Sequence, residues 1–258
     1  MFKQIRNILK FRELIFAMLV RGFKAKYKNS FLGIFWSFLN PLANVLIFAF
    51  IFTAIIKINI KDYPLYLLCT ILPWTFFNSA LINSVVSIFE DSHFVKNTPF
   101  PLEVIPLAVV IVNLVNFIID LIILMIILLL LGKGINPLWA YLPFLVFIEF
   151  ILVCGLSIFL AASYVIFRDL NFILNLVLRL FFYFVPVLYT LEFVPLNLRS
   201  FYLLNPLSVI IDSYAKVFLY GAKPDNNLLF LSFIQSVLIF IICYALFNKA
   251  RKSIPERL

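Results

Sequence analysis

A single histidine, His93, stands in the polar run Glu90-Asp91-Ser92-His93. Acid, hydroxyl and imidazole are consecutive there, so the run reads as a short connector rather than a nucleophile with a separated base. One histidine also excludes paired-His relays and His-rich metal sites. Cys69, Cys154 and Cys243 each lie alone inside apolar runs. They are too scattered for a disulfide framework and wrongly spaced for zinc, which leaves packing as their role. The six glycines (Gly22, Gly33, Gly132, Gly134, Gly155 and Gly221) nowhere open a Gly-x4-Gly-Lys-Ser/Thr loop. Without that phosphate cradle the chain cannot hydrolyse ATP by such machinery on its own, and no cofactor or metal is expected on it.

The remaining chemistry is ionic and aromatic. Asp120, Glu149 and Arg179 fall inside long apolar runs. A charge at the centre of a membrane helix costs about 2.5–3.5 kcal/mol, so each needs a partner, a watery cavity or a place near the headgroups. Two readings stay open: the three face a transport route or pair with one another, for instance Arg179 with Glu149, or they sit at span ends. Aromatic residues make up 18% of the chain, with 32 Phe. Phe31, Phe35, Phe38, Phe48 and Phe52 recur at helical spacing, and Phe181, Phe182, Tyr183 and Phe184 form a second group. Sugar rings carry apolar C–H faces that stack on aromatic faces, so a duct lined by Phe31, Phe35, Phe38, Phe181 and Tyr183 would let a glycan slide. Lipid contact and interfacial belts explain most other aromatics.

The elements that position these residues follow from composition. The chain is 64% hydrophobic and 13% charged, with a mean hydropathy of +1.10. Soluble domains run near half apolar and a quarter charged, so lipid must be the solvent. Spanning a hydrocarbon core of about 30 Å takes about 20 helical residues. Six runs qualify, near 33–56, 64–88, 104–131, 138–166, 171–191 and 228–248. Pro73 and Pro186 fall inside the second and fifth, where a missing amide and a ring clash predict kinks.

Residues 1–30 read as an amphipathic interfacial helix: Lys3, Arg6, Lys10, Glu13, Arg21, Lys24 and Lys28 oppose Ile5, Leu9, Phe16, Leu19 and Phe23. Basic residues follow its apolar stretch where a signal peptide would carry a small-residue cleavage site. Fourteen Lys and Arg fall on one side of the six-span topology and six on the other. The more basic side is cytoplasmic, so both termini are expected there. The net charge of +9 thus reflects topology, and nucleic acid is not an expected partner. Residues 192–227, broken by Pro195, Pro206 and Gly221, read as two short helices dipping back into the outer membrane half. Without repeats or soluble segments, 1–258 reads as one all-α membrane domain.

From Lys26-Tyr27-Lys28-Asn29-Ser30-Phe31-Leu32-Gly33 through Asn40-Pro41-Leu42, the sequence resembles the start of the first span in type-2 ABC export permeases. The subfamily is the Wzm-type one that exports O-antigen, capsule and teichoic-acid polymers. Three further stretches agree, in order along the chain: Phe94 to Leu107, Phe167-Arg168-Asp169-Leu170, and Asn205 to Tyr214. One departure is Ala215, which follows Tyr214 where the family carries arginine.

The resemblance implies a homodimer working with two copies of an ABC ATPase, which binds ATP and Mg, to move an undecaprenyl-type lipid-linked polysaccharide out of the cytoplasmic (inner) membrane. It implies that 90–100, with Glu90, Asp91, His93, Phe94 and Lys96, is the coupling helix docking on the ATPase. It further implies that Arg21, Lys24, Lys26, Tyr27 and Lys28 stand where the lipid carrier enters, and that 195–221 forms a pair of gate helices. Two other classes compete: an ATP-independent secondary transporter or channel, and a membrane enzyme of lipid-linked glycan assembly. The first would use inverted repeats and paired intramembrane acids, and the second acidic surface clusters.

Overall fold

The computed structural model describes residues 12–27, 33, 35–58, 60–92, 101–251 and 254. Among them every regular element is helical. In chain order these are α1 (Arg12–Tyr27), α2 (Phe35–Phe50), α3 (Tyr63–Val85), α4 (Ser87–Glu90), α5 (Val104–Leu130) and α6 (Leu142–Ile166). Then follow α7 (Leu170–Phe181), α8 (Leu196–Leu204), α9 (Pro206–Ala215) and α10 (Asn226–Ala250). Among the described residues, five stretches are long and apolar enough to cross a membrane: Phe35–Ile55, Tyr63–Glu90, Val104–Leu130, Pro137–Ile166 and Asn226–Ala250.

Local chemistry sets the helix starts. The Asp225 carboxylate accepts the amides of Asn227 and Leu228 at 2.8 and 3.3 Å, capping α10. Asn205 accepts the Leu207 amide at 3.1 Å, and Pro206 follows at the first helical position, where its missing N–H costs nothing. Gly221, at φ 56°, takes the left-handed conformation that ends the π-turn Lys216–Tyr220 after α9.

The central element is α3, which buries residues on every side, Leu67, Cys69, Leu72, Phe76 and Ala80 among them. It packs against α2, α5, α6 and α9. The helix runs unbroken through Pro73. On the flank, α10 lies along α6, and a Cβ on Gly155 would come within 2.6 Å of the Phe240 Cα. Gly155 and the buried Ser232 and Ser236 form the small-residue seam that lets two membrane helices approach backbone to backbone.

The expected fifth span, 171–191, is not one helix. Its helical part is Leu170–Phe184, and 12 α-helical plus three 3₁₀ residues reach only about 24 Å. Beyond it the chain turns irregular around Pro186, which cannot donate to a helix ladder. Residues 185–188 are nevertheless buried. Their carbonyls are met by a hydroxyl stripe on α3: Tyr63 donates to Leu188 O at 2.8 Å, and Thr70 to Val187 O at 2.8 Å. The Tyr66 hydroxyl shares its proton between Pro186 O at 3.0 Å and Tyr189 O at 2.6 Å. In turn, Tyr189 donates to Tyr183 O at 2.6 Å and pairs with the Tyr202 hydroxyl of α8 at 2.8 Å.

The segment 170–189 therefore runs the length of α3. It starts beside Phe89, at the C-terminal end of the Tyr63–Glu90 span, where the Arg168 guanidinium stacks 3.4 Å from the ring centroid. It passes Trp74, which Phe182 meets edge-on at 5.4 Å. It finishes at Tyr63.

The two ends of the bundle are tied separately. At one end Arg21 pairs with Asp91 and Arg251 with Glu103. At the other Lys133 pairs with Asp62, and its hydrogen bond holds the Asp62 carboxyl below the usual carboxylate range. The chain near both of its ends thus meets the same end of the bundle.

Replacing Tyr66 with Phe leaves the carbonyls of Pro186 and Tyr189 without their donor, at a cost of about 1–3 kcal/mol. Thermal unfolding in detergent should show a lower Tm; an unchanged Tm would mean the irregular chain is held by something else. Gly155→Val forces α6 and α10 apart, and a comparable loss of about 1–3 kcal/mol is expected in the same measurement.

Candidate functional site

Polar side chains recur at helical spacing on the facing sides of two central helices. On α3 they are Thr75, Ser79 and Asn83; on α5 they are Asn113, Asn116 and Asp120. With Ser37 and Asn40 of α2 they line a cavity of about 440 Å³. The Ser37 hydroxyl donates to Asp120 Oδ1 at 2.8 Å, and Asn83 Nδ2 donates to Asn113 Oδ1 at 3.3 Å. Asp120 is only 6% exposed, so this polar lining is what makes an acid tolerable within an apolar helix.

A second cavity, of about 680 Å³, shares Asn83 and Asn113 with the first and continues toward α4 past Asn171 and Asn175. Arg21, Gly22, Glu90 and Asp91 line its far side. The walls of the two cavities thus carry a polar path of side chains from the Arg21–Asp91 pair past Asn83 and Asn113 to Asp120.

At the mouth of that path the chain leaves α4 for the connector. Arg21 Nη2 donates to both Asp91 oxygens, at 2.7 and 2.6 Å, and joins α1 to the residue just after α4. On the other side Arg168 stacks over Phe89, and Tyr164 meets the same ring edge-on at 6.2 Å. Where the connector returns, Glu103 is buried at the start of α5 and meets Arg251 at 3.7 Å and the Tyr244 hydroxyl at 3.5 Å. An acid at a helix start also opposes the macrodipole favourably. Both roots of the connector are therefore held by elements distant in sequence: α1, the α6–α7 turn and the end of α10.

The sequence-predicted residues divide as follows. Arg21 and Asp91, assigned to separate groups, are brought into contact, with Glu90 exposed beside them and Lys24 exposed on α1. Lys26 and Tyr27 close α1, but their side chains, and all of Lys28, Phe31, His93, Phe94 and Lys96, lie outside the described residues. Phe35 and Tyr183 are exposed on the outer surface. Phe38 is a buried core residue, and Phe181 packs inward against Trp74 and Phe77 with ring centroids 6.1 and 6.3 Å apart. Phe38 and Phe181 thus have packing partners within this chain.

The suggested pairing of Arg179 with Glu149 does not form. Arg179 lies on the exposed face of α7, one position past the buried Leu178. Glu149 is fully buried in α6 against the hydroxyl of the equally buried Tyr214 of α9. Neither Glu149 nor Asp120 stands at a span end, so the headgroup reading is dropped for both. The amides Asn83, Asn113 and Asn116 were missed by sequence reasoning, although the spacing of Asn113, Asn116 and Asp120 by three and four residues was a usable signal.

Comparison with known proteins agrees with this architecture. Residues 13–219 match the family model described as ABC-2 type transporter. The chain is 31% identical to an O-antigen export system permease protein RfbA from Myxococcus xanthus, across 99% of each. It is 29% and 28% identical to two proteins of the same name from Klebsiella pneumoniae, each alignment covering 95% of this chain and 94% of the relative. A helical membrane bundle with a polar interior path and a match over most of its length settles the classification: the chain belongs to the ABC-2 type transporter family, as a membrane-spanning transport component rather than an enzyme.

Proposed function

We propose that this chain is the permease subunit of an ATP-driven exporter, which moves a lipid-linked polysaccharide of the O-antigen class outward across the cytoplasmic membrane. The observation that carries the reading is its end-to-end correspondence with O-antigen export permeases. The absence of a phosphate-cradling loop from the sequence fits with it, since the work must then come from a separate ATPase that binds ATP and Mg.

In this reading the chain acts as one permease domain, paired with a second copy and two ATPase subunits. The 90–100 connector receives the motion of the motor. Its clamped roots pass that motion to α1 through Arg21–Asp91 and to α10 through Glu103–Arg251. Packed elements with two discrete arrangements transmit such a push better than a free loop would. Segment 170–189 supplies the sixth crossing, because it runs from the level of Phe89 to the level of Tyr63. An even number of crossings keeps both termini on the cytoplasmic side, with the excess of Lys and Arg. α1 lies along that interface, and its basic residues attract the anionic carrier lipid. Helices α8 and α9 dip back from the outer side. α9 is buried on nearly every residue, which gives the unpaired backbone groups at the ends of so short a helix the protein cover they need at membrane depth.

Charge reversal tests the connector. Arg21→Asp or Asp91→Arg alone should lower ATP-dependent export in proteoliposomes within the roughly 5–150-fold range of typical coupling energies. Stability should change by no more than about 1 kcal/mol, because the pair is partly exposed. Combining the two reversals should restore export; normal export by the single variants would remove the coupling role. For the polar path, Asp120→Leu strips the acceptor from Ser37 and should stop export while membrane insertion persists, whereas Asp120→Asn keeps an acceptor and should retain a measurable rate. Equal export by both variants would separate Asp120 from the route.

A further inference from the structure

Arg179 stands on the exposed face of α7 among Leu176, Val177 and Leu180, all at least half exposed. It lies nine residues past Leu170, about 14 Å into the segment that runs along α3. In a hydrocarbon core of about 30 Å that is mid-depth, too far from the headgroups for the side chain to snorkel out. Among the described residues no acid meets its guanidinium. A charge at that depth needs an opposite charge or a wet cavity.

An acid stands at a matching depth, in the 440 Å³ cavity. Phe181 meets Phe77 of α3 at 6.3 Å, and Phe117 of α5 meets Phe76 at 5.0 Å, so α7 and α5 share a level there. At 1.5 Å per residue, Arg179 lies about 3 Å to one side of that level and Asp120 about 4.5 Å to the other. The cavity covers both, because its α3 wall runs from Thr75 to Asn83. Its rim is open: Asn40 and Asn83 are exposed, and Trp36 is 47% exposed. Asn175, one turn before Arg179, lines the adjoining 680 Å³ cavity, which places Arg179 and the rim on one face of the bundle. Arg179 nevertheless lines neither cavity of its own chain. Glu149, the other acid deep in a span, is fully buried against Tyr214 and offers no surface.

An outward cation beside an acid-bearing cavity on the same face makes a self-complementary surface. A two-fold axis along the membrane normal leaves depth unchanged, so groups level within one copy are level between two. We propose that in the resting complex Arg179 of each copy enters the 440 Å³ cavity of the other and pairs with Asp120, which covers the open polar rim from lipid. A carboxylate accepts several hydrogen bonds, so the Ser37 bond and a guanidinium are compatible. Ser79 and Asn83, nearer the level of Arg179, supply oxygens for its remaining donors. The proposal rests on the exporter reading for the presence of a second copy, and adds the side chains through which the copies meet.

The test uses the complex with its ATPase, held without nucleotide. Arg179→Cys and Asn40→Cys are placed on separate copies carrying different tags, and a short bis-methanethiosulfonate links them in nanodiscs. Cys69, Cys154 and Cys243 are buried and stay silent. A product with both tags, at twice the 30.0 kDa of one chain, is expected. Its absence overturns the pair, as does linkage only when both cysteines sit on one copy.

Subunit exchange between tagged complexes in detergent supplies a second reading. Arg179→Gln or Asp120→Asn in both copies should speed exchange at least tenfold, the loss expected for buried hydrogen-bonded charge pairs. A mixed dimer, with Arg179→Gln in one copy and Asp120→Asn in the other, keeps one pair across the interface and should exchange at an intermediate rate. Within single chains that mixture would keep none, so exchange as fast as in the uniform variants overturns the proposal. Elution volume and ATP hydrolysis establish that each variant is folded. ATP-driven export by the wild type without the linked product overturns the pair alone; a wild-type complex that holds one copy and exports nothing overturns the exporter reading and the pair with it.

Discussion

Inside hydrocarbon no water meets a backbone carbonyl, so a chain that leaves helical geometry there must find its hydrogen bonds within the protein. Residues 185–190 are where this structure meets that demand. Three hydroxyls at positions 63, 66 and 70 form one stripe on α3 and answer four carbonyls of the irregular chain. The stripe has a second consequence. It registers the broken segment along α3, so that α7 begins beside Phe89 and the hairpin of α8 and α9 begins beside Tyr63. Tyr189, held at the break, then reaches Tyr202 and ties α8 to the same point. The stripe thus helps to place α8 and the 190–193 wall of a third cavity, of about 600 Å³, while α9 is held by its packing against α3, α6 and α10.

The same economy of polar groups organises the other end. Asp120, Asn113 and Asn83 are costly in an apolar bundle unless they find polar partners, which Ser37 supplies to Asp120 while Asn83 and Asn113 bond to each other. The path ends at Arg21 and Asp91, the place where the connector leaves α4. One ion pair therefore joins the cavity wall to the root of the connector, though α1 and α4 are far apart in sequence. Glu103 repeats the arrangement on the returning limb. The two roots of the connector are thus each joined to a distant element, one to α1 and one to the residue after α10.

Much of this was legible in the sequence because lipid imposes a simple rule on length and polarity. The five long spans lie within about two residues of their expected ends. The fifth run was not legible as what it is, because its 21 residues are predominantly apolar and nothing local says that Pro186 ends the helix rather than kinking it. The deciding signal lies more than a hundred residues away, in the hydroxyls of α3. Arg179 and Glu149 show a related limit. Their positions in the spans could be read, but the face each presents depends on neighbours: Leu174 and Leu178 turn inward on α7 and leave Arg179 outside. Phe38 and Phe181 illustrate it too, because the ring partners that Phe181 finds on α3 are not readable from spacing.

Sidedness of the broken segment tests the account most directly. Cys69, Cys154 and Cys243 are buried, so single cysteines placed at the exposed Asp169 and Glu192 dominate labelling by a membrane-impermeant maleimide. If the segment between them crosses the bilayer, Asp169→Cys reacts only from the cytoplasmic side and Glu192→Cys only from the outside. Labelling of both from the same side would mean that five helices make all the crossings, and the topology on which the export reading stands would be wrong.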